Sequence, residues 1–255
     1  MSPLLQVMVD AARKAGDEIE AIYGAGCATQ IKDDGSPVTE ADHRAEAIIL
    51  EALGSAYPEI PVVAEEEACA GRIPEIGERF FLVDPLDGTR GFVNRTGEFT
   101  VNIALVEKGV ATVGVIYVPD SHRLYYGEQG EGAFRSVEGG AMEAIQVRTG
   151  PASGLTVLAS RTTAEKTAAR LSHLKIAEFL PSSSSLKFCL LAEGSADLYP
   201  RYGRTMEWDT AAGQAILEAA GGRVMALAGE AEAGPLRYGK TDGNFENPFF
   251  IAWGR

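Results

Sequence analysis

The sequence is short of the residues that several functions require. It holds three cysteines, Cys27, Cys69 and Cys189, in 255 residues. Their number is odd and their spacing fits no metal-ligand pattern, so the expectation is buried or incidental thiols in a reducing compartment. Basic residues are scarce too, with 23 Lys and Arg against 36 Asp and Glu and a net charge of −13. No Lys and Arg cluster is there to meet a phosphate backbone, so a nucleic-acid polymer is not an expected partner. No charged-then-apolar leader opens the chain, and no apolar run approaches the length of a membrane span. A cytoplasmic protein without a transmembrane segment is expected, and no internal repeat is visible.

What is present is a chain 45% hydrophobic, enough for a large core in one α/β unit or two closely packed halves. Phe80-Phe81-Leu82-Val83 reads as a short buried strand that stops where Asp84-Pro85-Leu86-Asp87-Gly88-Thr89 begins. An α/β enzyme presents its chemistry at the carboxyl end of such a core strand. Pro85 fixes its own backbone, so a turn there aims Asp84 and Asp87 at one point, and Gly88 lets a backbone approach closely. Two carboxylates about 4 Å apart repel by roughly 4 kcal/mol at an effective dielectric near 20. A hard cation such as Mg²⁺ would relieve that repulsion. Alone, the two acids would be expected to do no more than cap the turn and the next helix, since turn residues are common.

Before this stretch, Leu4, Met8, Ala11, Ala12, Ala15, Ile19 and Ile22 fall at helical spacing over residues 3–23, with Gly24 as a stop signal. A polar loop at Lys32–Ser36 is either a lid or a solvated connection. Thr39 and Asp42 have capping-box spacing at the start of the next helix. Asp42 is therefore either a capping acid or a carboxylate facing a cleft and activating water. Pro61–Ala64 reads as a second short strand ending in acids; Glu65 is the inward choice, with Glu66 and Glu67 on a solvated face.

Beyond it, residues 99–106 and 110–118 flank Lys108-Gly109 as a hairpin, and a meander continues through Leu124–Tyr126 and Gly132–Phe134. Gly150-Pro151 is the candidate boundary between halves at 1–150 and 151–255. The second half alternates strand and helix, as in a layered α/β arrangement. Strands are expected at 155–159, 196–201, 224–227 and 249–253, with helices at 164–171, 186–192 and from Glu207 to Ala220. Of Ser182 to Ser185, three are expected to be ordinary caps, while Ser184 and Lys187 share a face that would hold a phosphate. The strand at 196–201 carries Arg201 out of its end. Asp209 is an N-cap or a ligand.

Glu65, the turn from Asp84 to Thr89, and Trp208-Asp209, in this order, resemble the lithium-sensitive, magnesium-dependent phosphomonoesterases of the inositol monophosphatase superfamily, over nearly the whole chain. Asp34-Gly35-Ser36-Pro37-Val38-Thr39, Gly97–Ala104 and above all Ser184-Ser185-Leu186-Lys187-Phe188-Cys189 resemble its bacterial 3′(2′),5′-bisphosphate nucleotidases. The resemblance implies an α/β (α+β) fold, a layered αβαβα sandwich. It implies that Glu65, Asp84, Asp87, Asp209 and the Leu86 carbonyl hold two or three Mg²⁺ ions, most of the ligands lying in the first half. Thr89 with Asp42 would then deprotonate the attacking water, with Glu65 taking part in catalysis. The amides of Gly88 and Thr89 would cradle the scissile phosphate, with Asp87 and Asp209 lining the substrate site. Ser184, Lys187 and Arg201 would contact the nucleotide and its retained phosphate. Relatives often have a His where this chain has Thr163, which puts one nucleotide contact in doubt.

The implied reaction removes the 3′-phosphate of adenosine 3′,5′-bisphosphate to give AMP and phosphate, in sulfate assimilation. The alternatives are an inositol-1-phosphate or fructose-1,6-bisphosphate phosphatase, and an inactive metal-binding regulatory protein. A monomer or homodimer is expected, and the resemblance leaves open loose attachment to the inner membrane.

Overall fold

Side chains alternate between the two faces of a strand, and the central strand of this protein buries both. Phe81 and Val83 join a cluster with Leu5, Met8 and Ile49 of the first two helices, while Phe80 and Leu82 join a second cluster with Ala212 and Ile216 from a late helix. Burial on both faces explains an apolar run without alternation. The computed structural model describes residues 1–25, 29–31, 37–95, 97–160 and 163–255. The lid reading of Lys32–Ser36 and the thiol of Cys27 lie outside them.

Helix α1 (Pro3–Ala25) leads through a ribbon, β1 (Thr29–Ile31) and β2 (Pro37–Thr39), into α2 (Glu40–Ala56). Next come β3 (Val62–Ala64), α3 (Glu65–Cys69), β4 (Arg79–Asp87) and α4 (Thr89–Val93). A meander follows: β5 (Thr100–Glu107), β6 (Val110–Val118), β7 (Arg123–Glu128), β8 (Gly132–Val137) and β9 (Glu143–Ile145). The remainder runs β10 (Leu155–Leu158), α5 (Ala164–Arg170), β11 (Ile176–Leu180), α6 (Leu186–Ala192), β12 (Leu198–Arg201), α7 (Glu207–Ala219), β13 (Arg223–Ala228), β14 (Ala231–Pro235) and β15 (Phe250–Trp253).

Strands β3 to β9 form a seven-stranded sheet in chain order, parallel at β3–β4 and antiparallel elsewhere. A six-stranded mixed sheet has the order β11-β10-β12-β15-β13-β14. One core cluster lies between the first sheet and α1 with α2, and a second joins that sheet to α6, α7 and the second sheet. A third, of Val157, Leu171, Leu198, Leu227 and Ile251, covers the outer face of the second sheet on the side of α5. The layers are therefore helix, sheet, helix, sheet, helix, an α+β sandwich as expected. The small residues of α7 bring it close to α6: a Cβ on Gly213 would lie 2.3 Å from Phe188 Cδ2.

The expected hairpin, α5 and α6 are present. The strand expected to stop before Asp84 instead runs on through Asp87. Asp84 pairs with Asn102 and Asp87 with Thr100, so Pro85 and Leu86 face one residue of β5 in a bulge. A bulge is one of the few places inside a sheet that accept proline.

Candidate active site

The site begins at the bulge. The Leu86 amide donates to Asp84 Oδ1 at 3.0 Å, which fixes the carboxylate on the inner side of the sheet. After Asp87 the chain turns at Gly88, whose φ is +95°. A Cβ there would also lie 2.7 Å from the Glu98 carbonyl oxygen, so glycine is required on both counts. The turn delivers Thr89, whose hydroxyl lies 3.1 Å from Asp42 Oδ1 and 3.2 Å from the Leu86 carbonyl.

Asp42 caps its helix and also reaches Thr89. Its Oδ2 accepts from the Thr39 amide and hydroxyl, each at 2.8 Å, closing a capping box on α2. That leaves Oδ1 for Thr89. One helical turn further on, the buried Glu46 accepts from the amides of Glu66 at 2.8 Å and Glu67 at 3.1 Å. It thereby holds the first turn of α3, whose own N-cap residue, Ala64, has no capping side chain. Burial pushes the Glu46 carboxyl up to about 7. Glu66, expected on a solvated face, is instead buried, because α3 folds back against α2; Glu67 pairs with Arg72 as a surface acid.

Glu65, Asp84 and Asp209 converge, with one carboxylate oxygen of each within 4.8 Å of the others. Asp209 comes from the first turn of α7, where the N-cap is Met206. Asp209 is thus not the N-cap but the third residue of the helix, and its Oδ2 accepts from the Met206 amide at 2.8 Å. Burial, with Glu65, Asp87 and Asp209 nearby, pushes Asp84 well above the usual carboxylate range. Burial, with Asp87 and Glu65, does the same to Asp209. Such a cluster is costly when charged, and a set of oxygen donors alone matches a hard divalent cation. The residues present fit such an ion.

Asp87 stands apart from that group of three. Its Oδ2 accepts from Ser185, from the hydroxyl at 2.6 Å and the amide at 3.1 Å. From the sequence Ser185 reads as a cap, since four consecutive serines give no local sign of which one turns inward. Asn102, also missed, donates to the Ser185 hydroxyl at 2.9 Å.

From this point α6 leads into a cavity of about 570 Å³ lined by Lys166, Arg170, Lys187 and Arg201 together with Thr163 and Tyr199. No acidic side chain lines it among the described residues. Lys187 is buried, its ammonium 4.9 Å from the centre of the Tyr199 ring. Burial, with Arg201 nearby, lowers its pKa to about 8. Arg201 Nε and the hydroxyls of Ser182 and Ser183 are buried with no hydrogen-bond partner among the described residues. Ser184 does not line the cavity; it adjoins the Tyr199 phenol, which sits on the cavity wall.

Acids from α3, β4 and α7 gathered beside a cationic cavity are accompanied by an equally specific match in sequence. A profile of the Inositol monophosphatase family covers residues 1–251. The chain belongs to the inositol monophosphatase family.

Within the family it is similar to the 3′(2′),5′-bisphosphate nucleotidases CysQ. The Salmonella typhimurium protein is 44% identical over 223 residues, which are 87% of this chain and 89% of that one. The Escherichia coli (strain K12) protein is 40% identical over 249 residues, 97% and 98% of the two chains. The crystal structure of CysQ from Bacteroides thetaiotaomicron superposes with a TM-score of 0.79 at 37% identity, covering 98% of this chain and 96% of that one. An inositol monophosphatase from Anabaena gives 0.74 at 27% identity, covering 98% and 90%.

In this member of the family, then, the fold gathers Glu65, Asp84 and Asp209, and pairs Asp42 with Thr89. Lys187 and Arg201 line one cavity. Thr163 lines it too, with its hydroxyl 2.7 Å from that of Ser160. No helix among the described residues is long and apolar enough to cross a membrane.

Proposed function

We propose that this protein is a Mg²⁺-dependent 3′(2′),5′-bisphosphate nucleotidase that removes the 3′-phosphate of adenosine 3′,5′-bisphosphate, giving AMP and phosphate for recycling in sulfate assimilation. The observation that carries the reading is the junction of an acidic cluster with a cavity lined, among the described residues, by cationic and neutral side chains, in a chain of net charge −13. A monophosphate of a neutral polyol has little need of that second, cationic chamber.

Glu65, Asp84, Asp87, Asp209 and the Leu86 carbonyl are the donors for two or three ions. When bound, the ions supply activation of the attacking water and neutralisation of the leaving oxygen. Thr89 donates toward Asp42, so a lone pair of its hydroxyl is available to take the proton of the attacking water while Asp42 takes Thr89's own. The amides of Gly88 and Thr89 receive the scissile phosphate at the turn. Lys187 and Arg201 hold the phosphate that stays behind, with Ser184 supporting Tyr199 at the wall. In this reading residues 1–150 carry most of the metal ligands, and residues 151–255 carry the nucleotide contacts and the last ligand.

The test is phosphate release from adenosine 3′,5′-bisphosphate, inositol 1-phosphate and fructose 1,6-bisphosphate, each with Mg²⁺ and with EDTA. The expected result is fastest turnover of the nucleotide, abolished by EDTA. Preferred turnover of inositol 1-phosphate would overturn the specificity, and equal rates in EDTA would overturn the mechanism.

A further inference from the structure

Ser185 occupies the cap position of α6 yet makes no side-chain cap on its own helix. A serine hydroxyl at a helix start ordinarily serves the amides of the next turn. Here it is turned the other way, toward the acids, and the residue is fully buried.

Its bonds can be accounted for one by one. Thr100 donates to Asn102 Oδ1 at 2.9 Å, which leaves the Asn102 amide nitrogen to donate to Ser185 Oγ at 2.9 Å. With a lone pair thus filled, the single hydroxyl proton goes to Asp87 Oδ2 at 2.6 Å in preference to the Asp209 carbonyl at 3.1 Å, because the charge-assisted bond is the stronger. The Ser185 amide adds a second donor to the same oxygen. Asp87 is therefore clasped through one oxygen, and its other oxygen is left for a cation. Thr100 and Asn102 are themselves the cross-strand partners of Asp87 and Asp84. The chain of bonds thus starts on the cross-strand neighbour of Asp87 and ends on Asp87 itself. Two residues beyond Ser185, Lys187 lines the cationic cavity.

We propose that Ser185 is a positioning residue: it fixes the carboxylate of Asp87 for cation binding and ties the acidic cluster rigidly to the first turn of the helix that reaches the nucleotide. This rests on the nucleotidase reading for the identity of that ligand, but not for its effect on cation affinity. Ser185→Ala removes the hydroxyl arm of the clasp and keeps the amide arm, at a cost of one buried methyl-for-hydroxymethyl exchange.

The test measures Mn²⁺ or Mg²⁺ binding by titration calorimetry without substrate, alongside steady-state kinetics, on wild type, Ser185→Ala, Ser185→Thr and Asn102→Ala. Ser185→Ala is expected to weaken cation binding about tenfold, the usual scale for a hydrogen bond to a charged group. It lowers kcat at subsaturating Mg²⁺ and leaves the KM for the nucleotide within about twofold at saturating Mg²⁺. Asn102→Ala moves cation affinity in the same direction by less, and Ser185→Thr restores it. Circular dichroism and melting without cation establish that the variants are folded, and Asn102→Ala carries the test if Ser185→Ala is not. Wild-type cation affinity in a folded Ser185→Ala overturns the proposal, as does a raised nucleotide KM with unchanged cation affinity. If wild type fails to hydrolyse the nucleotide while Ser185→Ala still loses cation affinity, the nucleotidase reading falls and the clasp stands. If wild type binds neither cation, both fall.

Discussion

Thr89 and Asp42, 47 residues apart in sequence, meet at 3.1 Å through hydroxyl and Oδ1, while the second oxygen of the same aspartate caps the helix that carries it. The capping bonds leave the carboxylate little freedom to turn, so a local stabilising device also holds Oδ1 toward the Thr89 hydroxyl.

Asp42→Asn separates the two roles. The side-chain oxygen of Asn can still accept from the Thr39 amide and hydroxyl, so the melting temperature should move little. As a proton acceptor Asn is useless, and kcat should fall by about a hundredfold or more, the scale of general acid–base catalysis. Thr89→Ala should fall as far and Thr89→Ser should recover much of the rate. Steady-state phosphate release with a parallel thermal melt checks all three, and a normal kcat in Asp42→Asn would remove this pair from the chemistry.

Without cation, the protein should become less stable as pH rises. Asp84, Asp209 and Glu46 all have carboxyl pKa values raised by folding, above all through burial. Such a group keeps its proton in the folded state and loses it on unfolding, so stability declines from the unfolded value, near 4, up through the folded one. Glu46, moving from 4.5 to about 7, contributes roughly 3 kcal/mol across that window. Melting in EDTA should therefore fall between pH 5 and pH 8, and Mg²⁺ should flatten the slope. Asp84→Asn should melt higher than wild type in EDTA and gain less from Mg²⁺. A wild-type melting point that rises with pH in EDTA would contradict this.

Lys187 gives a second pH dependence, with the opposite charge at stake. It is protonated below about 8 and loses its attraction for a phosphate above that value. The KM for the bisphosphate should be flat at neutral pH and climb on the alkaline side, and Lys187→Met should abolish the climb while raising KM throughout. Initial-rate measurements across pH 6.5–9.5 decide it.

Gly213→Ala tests the packing of α7 on α6. Alanine gains about 1 kcal/mol over glycine in a helix interior, but its methyl would lie 2.3 Å from Phe188 Cδ2. Overpacking costs about 1–3 kcal/mol, so the clash should win and the variant should melt lower than wild type; a higher melting temperature would show that Phe188 yields freely.

Much of this architecture was legible from the chain because its signals are local. The period of α1, the Lys108-Gly109 turn and the bounds of α6 all follow from neighbours in sequence. What escaped is non-local. Pro85 looks like a stop signal until β5 supplies the register that makes it a bulge. Short strands such as β9, β11 and β14 are partly exposed and lack the buried runs that mark the core. In the site, each acid taken alone could equally have been a cap, and only the resemblance of the ordered set to a known family singled out Glu65, Asp84 and Asp209, which the fold brings together. Ser185 was not legible, because its neighbours in sequence are also serines and only the fold brings Asp87 to it across 98 residues. Glu46 escaped for the same reason: one acid on a polar helix, distinguished only by the amides of α3 above it.

The most direct test is an anomalous difference map from crystals soaked in Mn²⁺. The account predicts a peak bounded by the carboxylates of Glu65, Asp84 and Asp209. A flat map there, with the three side chains ordered in the same crystal, would contradict it.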